Sequence, residues 1–513
     1  MGTLWQDIRY GFRMLVRNPG FTAVAVLTLA LGIGANTAIF SVVNAVLLQP
    51  LPFQDPDRIV QISTHLQKSG TTLPYSNLSD FAKIQSRNHV FEDVAAIQYQ
   101  ALVDIGGDEP RSVLVERVAR EFFTLLGVQP MLGRGFRPEE GQPGKDRVLV
   151  LSHPYWKERY GAEPNIIGQT ATFKDKVYTI IGVMPPDFRF LDYPDVWKPL
   201  SMTAEELSSK NSFGSQMIAR LKSNVSFEQA QAELNLISSQ LMQEYPGNAV
   251  ERGFHLTPLH KRLVANVRPA LWVLFGAVGF VLLIACANVA NMLLARSIGR
   301  QREVAVRMAL GAGRLRLIRQ FLTESLLLSI MGGLCALFLT ACSLDLITAF
   351  LPSTVPCLPE IQIDGWVLCF ALSVSVLTAV MIGLAPFLRL SKTTVHQALR
   401  EGSFNIISGP RQNSLHNVLL VSEAAMSLIL LIGAGLMINS FWRLTTIDLG
   451  FDRENVLSVP VTCVESIHEQ PEPYFEALKN RISQLPGVQT VGFGTLPLFG
   501  SRALVEFNMP GRD

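Results

Sequence analysis

The sequence predicts a polytopic α-helical membrane protein of about five spans, with a large α+β domain inserted between the first span and the second. Three observations predict it. Five runs are apolar over the roughly 20 residues a helix needs to cross a hydrocarbon core. Lys and Arg crowd alternate connections between those runs. The segment between the first two runs has mixed polarity and its own strand and helix patterns. Composition agrees, with 48% hydrophobic residues, 17% charged residues and a mean hydropathy of +0.27, on the apolar side of soluble domains. A net charge of +2 provides no global basic field, so nucleic acid is not an expected partner.

Residues 1–20 read as an amphipathic helix on the cytoplasmic leaflet, with membrane lipid as its partner. At helical spacing Leu4, Trp5, Ile8, Phe12, Leu15 and Val16 fall on one arc, and Arg9, Arg13 and Arg17 stack on the far side. Asn18-Pro19-Gly20 then breaks the chain. The first span follows at 21–48. A signal peptide is the rival reading, but the run exceeds a typical h-region and no clean A-x-A site follows it.

Residues 49–268 form the inserted domain. RIVQIS, DRVLVLS, TATF and VYTIIGVMP read as strands, with a hairpin turn at the KDK tripeptide. EFFTLLGV and HPYWKERYG read as helical patches. The clearest helix starts at Ser226, whose spacing to Gln229 is that of a capping box. Phe227, Ala230, Leu234, Ile237 and Leu241 then form one stripe, expected to pack on the domain's own sheet. Five of the eight histidines lie here, and HLTPLH spaces two of them by five with no acidic residue close by to complete a metal site. No G-x-S-x-G, HExxH or cysteine-pair spacing appears, so no catalytic residue, cofactor or metal ligand is assigned.

Spans two to four occupy 269–388, a linker 389–415, a fifth span 416–441, and a second outside segment 442–513. Arginines 296, 300, 302, 307, 314, 316 and 319 follow the second span, against Glu303 alone. Asp345, Glu360 and Asp364 follow the third span with no basic residue, and Arg389, Lys392, Arg400 and Arg411 follow the fourth. The positive-inside bias then sets the N-terminus, the Arg-rich loop and the linker inside, and 49–268 outside.

The Arg-rich loop carries the sharpest functional signal. Over 296–310 it is helix-compatible, with Arg296, Arg300, Glu303 and Arg307 in a narrow arc and Glu303 to Arg307 in the favourable i,i+4 order. Gly311 and Gly313 then interrupt it. Composition by itself favours a plain topogenic loop over a docking helix. No phosphate-cradling G-x-x-x-x-G-K-[ST] is present, since GQPGKD at 141–146 has the wrong glycine spacing and no Ser or Thr after Lys145.

The string REVAVRMALGAGRLRLIRQFLTESLLL resembles the cytoplasmic coupling segment of the MacB/FtsX-type ABC transporter permeases, E-[IV]-x-[IV]-R-x-[AL]-x-G-A, with Glu303, Arg307, Gly311 and Ala312 at matching positions. LPFQDPDRIVQIS, FFTLLGVQPMLGRGF, VLVLSHPYW, NIIGQT and YTIIGVMPPDF are similar to that family's periplasmic core. The resemblance covers about 50–400. It implies an inner-membrane permease without its own ATPase, a two-part periplasmic domain and paired permease halves. It further implies a separate cytoplasmic ABC ATPase and, as an additional partner, a membrane-fusion or outer-membrane protein. Under it Arg296, Arg300, Glu303, Arg307, Gly311 and Ala312 become the ATPase-coupling interface, and the spans transmit motion rather than form a pore. The alternative is a non-transporting regulator that gates a periplasmic enzyme or signalling partner. GFDRENVLSVPV after the fifth span echoes DPDRIVQIS after the first, as in the duplicated, acidobacterial-type branch of the family. The expectation is a second copy interrupted at Asp513, belonging to a longer protein with both halves.

Overall fold

A computed structural model of the chain describes residues 2–66, 70–104, 111–173, 176–190, 194–208, 213–244, 252–299, 314–350, 361–390, 414–447, 457 and 471–493. Among these, five helices are long and apolar enough to cross a membrane. Span 1 is Pro19–Val43 continued by a π-turn at Asn44–Leu48, span 2 is Arg268–Gly299, and span 3 is Arg314–Phe350. Span 4 is Gly365–Leu390 and span 5 is Ser414–Thr445.

The sheet domain between spans 1 and 2 holds a mixed sheet of 12 strands. From one edge its principal strands are Arg252–Pro258, Ile59–Leu66, Phe213–Leu221, Phe91–Asp104, Arg111–Val118, Val196–Pro199, Val148–Leu151, Lys176–Val183 and Leu132–Gly133. The first five are paired antiparallel, whereas Val196–Pro199 on Arg111–Val118 and Val148–Leu151 on Lys176–Val183 are parallel.

Two apolar cores explain the runs in the sequence. The larger collects Ile59, Ile62, Phe81, Phe122, Trp197, Ile218 and Leu234, and the smaller gathers Tyr155, Trp156, Ile166, Phe173 and Ile180. The unbroken VLVL of the 148–151 strand serves both. Val150 enters the larger core, and Leu149 and Leu151 enter the smaller, because side chains alternate across a strand and this one is covered on both faces. The Thr170–Phe173 and Lys176–Val183 strands pair antiparallel up to Phe173 and Lys176, and Lys174 and Asp175 of the expected turn lie outside the described residues. Helix Phe227–Glu244 opens with the expected capping box. The Gln229 N–H donates to Ser226 Oγ at 3.3 Å, and the Ser226 N–H donates to Gln229 Oε1 at 2.9 Å. Its stripe packs on the domain's own core.

Spans 1 to 4 pack as a bundle, with the closest association between spans 1 and 3. A Cβ added at Gly332 would lie 2.8 Å from Leu29 Cβ, so this glycine permits the approach. Interhelical hydrogen bonds join the rest. Asn36 Nδ2 donates to the Val278 carbonyl at 2.7 Å, and Ser329 Oγ donates to the Ser375 carbonyl at 2.7 Å. Span 5 packs on span 2 and is otherwise exposed, with none of its apolar window buried.

Candidate coupling site

Two ends of the bundle carry polar side chains set in fixed geometry. At the end remote from the sheet domain, the N-terminal helix Gly2–Val16 turns into span 1 through a hydrogen-bonded corner. Asn18 Nδ2 donates to the Met14 carbonyl at 3.1 Å, and Thr22 Oγ1 donates to the Leu15 carbonyl at 2.9 Å. These bonds satisfy carbonyls that the helix leaves open at its C-terminus. The apolar arc expected from the sequence divides in two. Leu15 of the arc is buried on the bundle, as is Gly11 outside it, where an added Cβ would fall 2.8 Å from Leu327 Cδ1 of span 3. Trp5, Phe12 and Val16 point outward. A helix touching a bundle on one side cannot bury a wide arc in lipid, and sequence periodicity does not separate these two apolar surroundings.

At the same end, Arg296 lies in the final turn of span 2 with its guanidinium carbon 4.9 Å from the Phe21 ring centroid. This cation–π contact joins the start of the Arg-rich segment to the start of span 1. Of the expected interface, Arg296 is therefore placed. Arg300, Glu303, Arg307, Gly311 and Ala312 lie outside the described residues, between the end of span 2 at Gly299 and the start of span 3 at Arg314.

The opposite end holds a joint that sequence reading passed over. Asp364 precedes span 4, and its Oδ1 accepts the Val367 N–H at 2.8 Å as a helix N-cap. Its Oδ2 accepts from Asn44 Nδ2 at 2.8 Å and from Gln49 Nε2 at 3.1 Å. Both donors sit at the π-turn that ends span 1, where the Gln49 N–H reaches the Asn44 carbonyl at 2.8 Å. Such turns widen a helix locally and recur at functional positions. Below the joint Phe40 stacks on Phe370 with centroids 3.9 Å apart, and Phe275 of span 2 lies 6.1 Å from Phe370.

From the π-turn the chain enters the sheet domain directly. Leu51 and Phe53 belong to its larger core. Arg220, 4% exposed, donates from Nε to the Leu125 carbonyl at 2.9 Å and from Nη2 to the Gln54 carbonyl at 2.7 Å. The segment leaving span 1 is thus tied to a central strand. An Asp before an apolar run was a readable N-cap signal for Asp364. Nothing local marks Arg220, whose acceptors come from the short helix Phe122–Leu126 and from the segment that follows span 1.

A groove of about 590 Å3 separates spans 2 and 5, with Asn288 and Asn291 facing Glu423 and Ser427. A carboxylate inside a spanning helix is costly unless it faces such polar groups.

Residues 22–237 match the family described as the MacB-like periplasmic core domain, and residues 275–395 match the FtsX-like permease C-terminal family. The macrolide export ATP-binding/permease protein MacB of Neisseria gonorrhoeae is 25% identical over 228 residues, which are 44% of this chain and 34% of that protein. The MacB protein of Aggregatibacter actinomycetemcomitans is 21% identical over 270 residues, covering 51% of this chain and 40% of its own. The chain spans about a third of the length of the first of these relatives. Among solved structures, the periplasmic region of MacB from Actinobacillus actinomycetemcomitans aligns at TM-score 0.32 and 13% identity, over 45% of this chain and 97% of that one. The extracellular domain of the ABC-type transporter YknZ from Gram-positive bacteria aligns at TM-score 0.30 and 11% identity, over 39% and 99%.

Proposed function

We propose that this chain, a MacB/FtsX-type permease joining a MacB-like periplasmic core domain to an FtsX-like permease domain, is the membrane subunit of an ABC-type export or mechanotransmission system powered by a separate cytoplasmic ATPase. In this reading the N-terminus and the Arg-rich loop are cytoplasmic and the sheet domain is periplasmic. Residues 269–388 form the motor-facing permease unit. The linker 389–415 leads to 416–441, which opens a second, paired unit. A membrane-fusion or outer-membrane protein is the further partner on the sheet-domain side.

The mechanism needs a rigid path from loop to sheet. Closure of the partner ATPases displaces the segment containing Arg300, Glu303, Arg307, Gly311 and Ala312. That segment is continuous with spans 2 and 3, so span 3 moves with it. Span 1 follows span 3 because Gly332 sets the two backbones too close to slide independently. Span 1 then carries the π-turn, Leu51 and Phe53 into the sheet core, and Arg220 fixes the segment there. Tighter contact of the loop with one nucleotide state of the motor than with another supplies the coupling free energy. The observation that carries this reading is the unbroken close packing from span 3 through span 1 into the sheet.

The test is charge reversal at the loop, Glu303→Arg and Arg307→Glu, singly and together, in the complex with the partner ATPase. The expected outcome is loss of ATPase stimulation or of co-purification in each single variant. Unchanged stimulation together with intact co-purification would overturn the coupling role. Substrate efflux from liposomes containing both proteins distinguishes transport from non-transporting regulation.

A further inference from the structure

The N-terminal helix has three distinct faces. One, with Gly11 and Leu15, is packed on span 3 and the corner of span 1. The second carries Trp5, Phe12 and Val16, which are 70%, 58% and 63% exposed. The third carries Arg9 and Arg13, followed in the turn after the helix by Arg17, and all three are exposed.

These faces are held at fixed depth. The corner bonds from Asn18 and Thr22 set the helix against span 1, and Gly11 sets it against span 3. The helix therefore lies at the end of the bundle, where the apolar spans meet water. An exposed strip of Trp, Phe and Val beside a line of three arginines, at that level, matches the boundary between acyl chains and headgroups. Guanidinium groups pair bidentately with phosphate oxygens, and basic groups at a membrane surface favour anionic lipid.

We propose that this surface binds anionic phospholipid headgroups of the adjoining leaflet, with Arg9, Arg13 and Arg17 on the phosphates and Trp5, Phe12 and Val16 among the upper acyl carbons. Because the same helix rests on span 3 beside Leu327, headgroup charge bears directly on the helix that follows the Arg-rich loop. The proposal does not depend on any partner ATPase.

The experiment places the full chain in phosphatidylcholine nanodiscs containing an equal mole fraction of brominated phosphatidylglycerol or brominated phosphatidylcholine. Quenching of Trp5 is read as the difference between the native protein and Trp5→Phe. Brominated phosphatidylglycerol should quench Trp5 at least about twofold more strongly. Combined Arg9→Gln, Arg13→Gln and Arg17→Gln should abolish that preference while quenching by brominated phosphatidylcholine persists, which reports that the helix still lies in the bilayer. Arg13→Gln alone should lose part of the preference, and it carries the test if the triple variant does not reconstitute. Equal quenching by both lipids in the native protein overturns the proposal, as does a preference that survives these substitutions. Absence of quenching by either lipid in the native protein overturns it too, since the face would then be covered by protein.

Discussion

Asn44 donates its side-chain amide to the Asp364 carboxylate at 2.8 Å, joining the π-turn of span 1 to the first turn of span 4. The two residues are 320 positions apart, and one carboxylate serves both as helix cap and as interhelical acceptor. Removing it should therefore do more than fray a helix. Asp364→Ala loses the cap and leaves buried Asn44 without its acceptor, at a cost of about 1–3 kcal/mol. Asp364→Asn retains a capping oxygen and should cost less. Thermal unfolding of the purified chain in detergent checks the order of the two variants, and equal stability of Asp364→Ala and the native protein would mean that this carboxylate does not hold spans 1 and 4 together.

Close packing of spans 1 and 3 makes a second prediction from neighbouring glycines. A methyl group at Gly332 meets Leu29 Cβ at 2.8 Å, close to the backbone, so Leu29 cannot rotate it away. At Gly34 the added Cβ would meet Ala336 at 3.4 to 3.6 Å, an ordinary contact. Gly332→Ala should destabilise by about 1–3 kcal/mol through overpacking. Gly34→Ala should lie within about 0.5 kcal/mol of the native protein. Cysteine cross-linking between spans 1 and 3 should weaken only in the former.

How far the sequence led depends on whether a feature is local. The spans, the helix cap at Ser226 and the pairing of the 170–173 and 176–183 strands are set by neighbours within a few positions, and all are present. The packing of the 227–244 stripe followed from periodicity. The Asn44–Asp364 joint and the seating of Arg220 were not legible, because each depends on partners from distant segments that composition does not link. In the sequence Asp364 reads only as one acid of the segment between the third and fourth spans. Of the expected coupling interface, Arg296 is seated on Phe21 and the other five residues lie outside the described ones.

Arg220 makes a third prediction. Its guanidinium is buried against the carbonyls of Leu125 and Gln54, so a side chain of similar volume without donors leaves both oxygens unpaired by it. Arg220→Met should destabilise the sheet domain by about 2–4 kcal/mol. It should also free the 51–58 segment that leads from span 1. Urea unfolding followed by tryptophan fluorescence measures the first effect, and faster proteolysis near Gln54 reports the second. Arg220→Lys should rescue only part, since a single ammonium cannot reproduce the forked contact.

The sheet domain also carries a pH-dependent lock. Glu140 is buried, which by itself would push its carboxyl up, but Arg134 and the Arg137 N–H hold it below the usual carboxylate range. Arg134 donates to it at 2.6 and 3.0 Å, and the Arg137 N–H at 2.7 Å. A depressed value in the folded state stabilises the fold above the unfolded carboxylate range, and that contribution is lost as pH falls through the folded value. Glu140→Gln should therefore cost about 1–2 kcal/mol at neutral pH and progressively less in acid. Unfolding midpoints of the two proteins should converge below about pH 4; a gap that is constant with pH would mean packing, not charge, is what the substitution removes.

The contact between Arg296 and Phe21 tests the loop end of the proposed path. A guanidinium over a phenyl ring at 4.9 Å contributes about 0.5–1 kcal/mol where partly exposed. Phe21→Leu and Arg296→Gln should each lose roughly that amount, and the double variant no more than either alone, because both remove the same interaction. If the contact is also what orients the segment following Gly299 toward the motor, the two single variants should reduce ATPase stimulation in parallel. Arg296→Lys should retain most of the stability through its remaining charge. Additive losses in the double variant would instead mean that Arg296 and Phe21 act separately, and the start of the loop would then have to be positioned by residues 300–313.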